Sequence, residues 1–137
     1  MVSTVRLNWR RIALHGTLAG LTGGLIFGLF TYAAAVRPDR AVIVSSAALI
    51  ALYAAVCVAW GIGYAYLAQT RAQLNVLPVL SGIVYGLVVY VVMQLVLYGI
   101  AAERTGSAFE VAYGILASCL FFGLPVALVT RLLSSSR

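Results

Sequence analysis

Lysine is absent from this chain of 137 residues, and acids, histidine and cysteine are scarce. There are three acids (Asp39, Glu103 and Glu110), one histidine (His15) and two cysteines, Cys57 and Cys119. Each shortage closes off a class of chemistry. No Ser/His/Asp arrangement, paired carboxylates, metal-ligand cluster or phosphate-binding loop is present. An intramembrane protease or lipid-modifying enzyme needs catalytic polar groups at depth, so the chain is expected to be non-enzymatic and to carry no cofactor. The cysteines lie in separate apolar runs, with no CxxC and no histidine nearby, and read as small buried hydrophobes. A disulfide between them would require helix contact at one depth, which spacing does not establish.

Charge of either sign is also thin. Charged residues make up 9% of the chain and hydrophobic ones 64%, with a mean hydropathy of +1.07. A soluble domain is about one quarter charged, so this composition belongs in a bilayer. The net charge of +6 comes from nine arginines. A basic balance can mean nucleic acid, but these arginines flank the apolar runs, as membrane topology requires. No nucleic-acid partner is expected. Arginine without lysine also fits the codon usage of a GC-rich bacterial genome.

What is abundant is long hydrophobic sequence. A spanning helix needs about 20 apolar residues. Four runs qualify, at 12–36, 41–68, 76–101 and 111–133, separated by RPDR (37–40), QTRAQLN (69–75) and AERTGSAFE (102–110). The first run far exceeds the apolar core of a signal peptide, so a retained helix is expected. One integral membrane domain, an all-α four-helix bundle, therefore covers residues 1–137. Arg6, Arg10, Arg11, Arg71, Arg131 and Arg137 fall on one side, with Arg37, Arg40 and Arg104 on the other. That asymmetry predicts both termini in the cytoplasm, in a bacterial inner membrane, with Trp9 anchoring the inner interface.

The chain also resembles itself. GLIFGLFTY (24–32) aligns with GIVYGLVVY (82–90), and YAAVCVAWGIGYAYLAQTR (53–71) with YGILASCLFFGLPVALVTR (113–131). Glycine and tyrosine stay in register in both alignments. This predicts two units, 12–71 and 76–131, each crossing twice and so related as a parallel repeat. Gly16, Gly20, Gly24 and Gly28 form a stripe on the first span. Pro78, Gly82, Gly86, Tyr90, Gln94 and Tyr98 form one on the third. Small residues every fourth position let membrane helices approach at the backbone. The expectation is that spans one and three cross through these faces, the rival being a homodimer seam.

Few polar side chains enter the spans. Glu110 begins the fourth helix, where a carboxylate is favoured by the dipole. It reads as an interfacial helix-start acid or as a proton or cation site. Gln94, deep in the third span, reads as interhelical glue, with a ligand contact as the alternative. His15 reads as an interfacial histidine, since a lone imidazole is weak ground for haem or chlorophyll ligation. Pro78 falls in the first turn of its helix, whereas Pro125 should kink the fourth. Tyr64 and Tyr66 read as interface residues.

GGLIFG (23–28), taken with SGIVYGLVVYVVMQLV (81–96), resembles the YagU-like and YqhR-like bacterial membrane proteins, mainly over the first and third spans. The resemblance implies a small multi-pass inner-membrane protein, with a link to acid tolerance for the YagU member. After the third span this chain has LYGIAAERTG where closer relatives carry Pro-Leu-Ser, and no functional residue is carried over. Two functions are consistent with the sequence. The first is a structural or accessory component packing against another membrane protein or itself. The second is a small transporter or channel with a path past Gln94 and Glu110 at the repeat or dimer interface.

Overall fold

The computed structural model describes residues 7–34, 47–101 and 108–136. Helix α1 runs Trp9–Ala34, α2 Ala47–Thr70 and α3 Pro78–Ala101. The fourth span is composite: α4 (Ala108–Ala117), a π-helical turn (Ser118–Gly123) and α5 (Leu124–Ser135). All four are long and apolar enough to cross a membrane. Helix α1 starts earlier than hydropathy predicts because Asn8 caps it. The Asn8 side-chain oxygen accepts from the Arg11 N–H at 3.2 Å, which satisfies one of the free donors of the first turn. The break between the second and third spans is itself ordered, with Ala72–Asn75 forming a 3₁₀ turn.

Backbone contact organises the bundle into two hairpins. In the first, Gly16 and Gly20 of α1 straddle Gly61 of α2: a Cβ on Gly61 would meet Gly16 O and lie 2.6 Å from Gly20 Cα. In the second, Gly82 and Gly86 of α3 straddle Gly123: a Cβ there would meet Gly82 O and lie 2.7 Å from Gly86 N. A GxxxG pair receives one glycine of the next helix in each case. No hydrophobic force draws helices together within lipid, so van der Waals contact between bare backbones is what remains to hold them.

The expected crossing of spans one and three is therefore corrected. Both stripes are used inside their own hairpins, α1 against α2 and α3 against the fourth span. Periodic glycine marks a surface open to close approach, but does not name the helix that approaches. The hairpins dock through α1 and the fourth span instead. Gly23, one residue off the stripe, makes that contact: its Cβ would lie 2.7 Å from Val126 Cγ2 and 3.1 Å from Phe122 O. Ala19 and Val126 are fully buried at this junction, and Phe30 stacks on Phe121 at 4.2 Å between ring centroids.

At Pro125 the disturbance of the helix takes the form of a π turn. The span stays helical through it, and the winding loosens just upstream, where the Leu124 N–H reaches Cys119 O, five residues back. In a regular helix the proline ring would clash with the Phe121 carbonyl. A π turn is one way a helix absorbs such a misfit.

Candidate functional site

Helices α2 and α3 are joined by the 3₁₀ turn, yet their backbones stay apart once they leave it. Between them lies a groove of about 890 Å³. Its walls are aliphatic, including Leu67, Leu77, Val84 and Val88, and Trp60 and Tyr85 stand in its floor. Side chains rather than backbone span the gap. Tyr85 of α3 donates its hydroxyl hydrogen bond to the Trp60 carbonyl of α2. Gly63 leaves room for that reach, since a Cβ there would lie 3.1 Å from the Tyr85 hydroxyl oxygen. Tyr64 lies edge-on to Tyr85, with centroids 5.0 Å apart.

The same corner holds a short hydroxyl relay. The Tyr64 hydroxyl is 2.7 Å from Ser81 Oγ, which lies 3.0 Å from Leu74 O and 3.1 Å from Pro78 O. With Ser81 donating to a carbonyl, Tyr64 donates to Ser81, and α2, the turn and α3 are tied at one point. Tyr64 is only 2% exposed. Its expected place at the interface is corrected: it packs inside the bundle because Ser81 offers its hydroxyl a partner there, whereas lipid would not. Tyr66, two residues on, is exposed and stacks on Trp9 at 5.9 Å. That pair is an aromatic step at one end of the molecule, beside the groove.

Among the described residues the arginines all lie at that end: Arg10 and Arg11 on α1, Arg71 after α2 and Arg131 on α5, each exposed. Arg71 adjoins the turn end of the groove through its backbone. Its N–H donates to Leu67 O at 2.8 Å and its carbonyl accepts from the Leu74 N–H at 3.0 Å, and both of those residues line the groove.

The residues singled out from sequence are not gathered at this site. Gln94 is exposed on α3, beyond the groove. Glu110 lies in the first turns of α4, and its side chain, like Glu103 and Arg104, lies outside the described residues. His15 is half-buried on α1. Cys57 and Cys119 are free and buried, each set under a glycine: Cys57 Sγ lies 2.6 Å from a Cβ built on Gly24, and Cys119 Cα 2.7 Å from one on Gly86. Gly28 is the loosest of the stripe, with nothing nearer to a Cβ than the Tyr53 hydroxyl at 3.4 Å.

The groove and its tyrosines were not identified from sequence. Their signal was faint: Gly63–Tyr64 and Ser81–Tyr85 put a small residue and a hydroxyl pair on facing helices at one depth. No family model, curated protein sequence or solved structure matches this chain.

Proposed function

We propose that this chain is a non-enzymatic accessory protein of a bacterial inner membrane, assembling laterally with another membrane protein or with itself. Both termini lie in the cytoplasm, a reading supported by the exposed arginines Arg10, Arg11, Arg71 and Arg131 at one end of the spans. The fold is a two-helix unit used twice in parallel. Support comes from the paired contacts Gly16/Gly20 around Gly61 and Gly82/Gly86 around Gly123. The register of those contacts differs from the sequence alignment, which set Gly24 on Gly82.

One observation carries the accessory reading: the interior is occupied by the protein's own backbone. Gly20 against Gly61, Gly86 against Gly123 and Gly23 against Val126 close the seams to atomic contact. A solute path needs polar lining or a wettable constriction, and these seams offer neither. Capture of the full chain from native membranes should bring down a stoichiometric membrane partner or a second copy. Proteoliposome flux that falls on Gln94→Leu or Glu110→Gln would overturn this reading in favour of transport.

A further inference from the structure

The α2/α3 groove has three properties that together specify an occupant. The first is depth. From Leu77, just before α3, to Val88 on it is eleven residues, about 16 Å at helical rise. The hydrocarbon core of a bilayer is about 30 Å thick, so the groove is about one leaflet deep. An acyl chain occupies one leaflet, whereas a spanning partner helix runs through both.

The second property is direction. The groove meets the water-facing turn at Gln73 and Leu74 and descends past Val84 to Val88. At its upper edge Tyr66 stacks on Trp9, which is the position of an aromatic belt at headgroup level. Any occupant is thus polar at the turn and apolar below it. The third is charge. Arg71, exposed and outside the lining itself, has its backbone bonded to two lining residues, Leu67 and Leu74, at the turn end of the groove, and Arg10 and Arg11 adjoin Trp9. Basic pockets at the ends of transmembrane helices favour anionic headgroups.

We propose that the α2/α3 groove is a binding site for an anionic phospholipid, one of its acyl chains lying along Leu77, Val84 and Trp60 and its phosphate meeting Arg71 and Gln73. The Tyr64–Ser81 relay and the Tyr85–Trp60 bond hold the two walls at this separation. The groove therefore stays open as a site rather than closing like the glycine seams. This inference does not depend on the accessory reading, because a lipid can occupy the groove whether or not a protein partner is found.

The test uses the reporter the site already contains. Trp9→Phe leaves Trp60 as the sole tryptophan of the full chain. The purified protein is reconstituted into vesicles of phosphatidylcholine containing increasing fractions of brominated phosphatidylglycerol or brominated phosphatidylcholine, and Trp60 quenching is followed. Brominated phosphatidylglycerol should reach half-quenching at about fivefold lower mole fraction, the effect of one basic residue at an anionic surface. Arg71→Gln should bring the two lipids level. Val84→Phe, at an exposed groove position, should weaken quenching by both while leaving thermal stability in detergent unchanged.

Equal quenching by the two lipids would reduce the groove to ordinary lipid-facing surface and overturn the proposal. Resistance to both that grows with protein density in the vesicles would identify a second copy as the occupant, which overturns it equally. Failure to capture a protein partner, with the lipid preference intact, would refute the accessory reading alone.

Discussion

The two hairpins solve one packing problem with opposite placements of the same side chain. In the first, Tyr53 of α2 lies against Gly24 and Gly28 of α1 and donates a 2.7 Å hydrogen bond to Gly24 O. In the second, Tyr90 of α3 lies against Gly114 of α4, with its ring 2.7 Å from where a Cβ would be. Tyrosine and glycine have changed helices. Away from the close glycine contact an aromatic ring forms a wedge between the helices, from whichever side carries it. The lesson is that the seam is set at Gly61 and Gly123, and the tyrosines are fitted around it.

Those two glycines should therefore be the most sensitive positions in the chain. Their neighbours are main-chain atoms of Gly16, Gly20, Gly82 and Gly86, which cannot rotate out of the way as a side chain can. Gly61→Leu or Gly123→Leu should each cost at least about 3 kcal/mol, the upper end for overpacking. The measurable result is loss of the folded, monodisperse species in detergent. If one tolerated leucine and the other did not, the equivalence of the hairpins would fail.

A second difference separates them. From Cys57 to Gly61 is four residues of α-helix, and the matching contacts in the second hairpin, at Ser118 and Gly123, are five apart. The π turn supplies the extra residue, and two residues past Gly123 stands Pro125, where the first hairpin has Gly63. Deleting Leu120 should convert the π turn to α-helix and push Pro125 onto the Phe121 carbonyl, costing about 3 kcal/mol. Combined with Pro125→Ala, the same deletion should recover most of that loss. Deleting Val58 from α2 has no such remedy and should abolish folding. Thermal unfolding of the three variants in one detergent tests the set.

Much of the fold was legible in the sequence, for a physical reason. The bilayer imposes length and apolarity on each span separately, so hydropathy marks four helices without any knowledge of contacts. The stripe glycines were visible by period alone. Their partners were not, because Gly61 and Gly123 do not recur at a helical period, and the alignment of the two halves set Gly123 against Gly63 instead. Gly23 falls on the next face round and was passed over for the same reason. The groove was hidden more deeply. It exists because α2 and α3 fail to close, and a gap is a property of two helices together. Tyr64 sits near a helix end in an aromatic-rich stretch, which is also what a lipid-interface tyrosine looks like.

The glycine stripe of α1 is not uniform, and its gradient gives a finer test. A Cβ at Gly24 would press on Cys57 at 2.6 Å to Sγ and 2.8 Å to Cβ, whereas at Gly28 it meets only ordinary contact distances. Gly24→Ala should destabilise by about 1–2 kcal/mol through overpacking. Gly28→Ala should be within about 0.5 kcal/mol of neutral, where surface-like substitutions fall. Equal effects at the two positions would mean that the stripe acts as a whole rather than through its points of backbone contact.

The smallest expected effect concerns the exchanged tyrosines. Tyr53→Phe removes the bond to Gly24 O but keeps the ring that forms the wedge. That carbonyl is already an acceptor within α1, so removing the phenol leaves no buried group without a partner. Hydrogen bonds between membrane helices average about 0.6 kcal/mol, and a loss of that order is expected in detergent unfolding. Tyr53→Ala should cost several times more, because it empties the space that the ring fills beside Gly24 and Gly28. A phenylalanine variant as damaged as the alanine one would mean that the hydrogen bond, and not the ring, holds the far end of the first hairpin. The exchange of tyrosine and glycine between the hairpins would then no longer follow from packing.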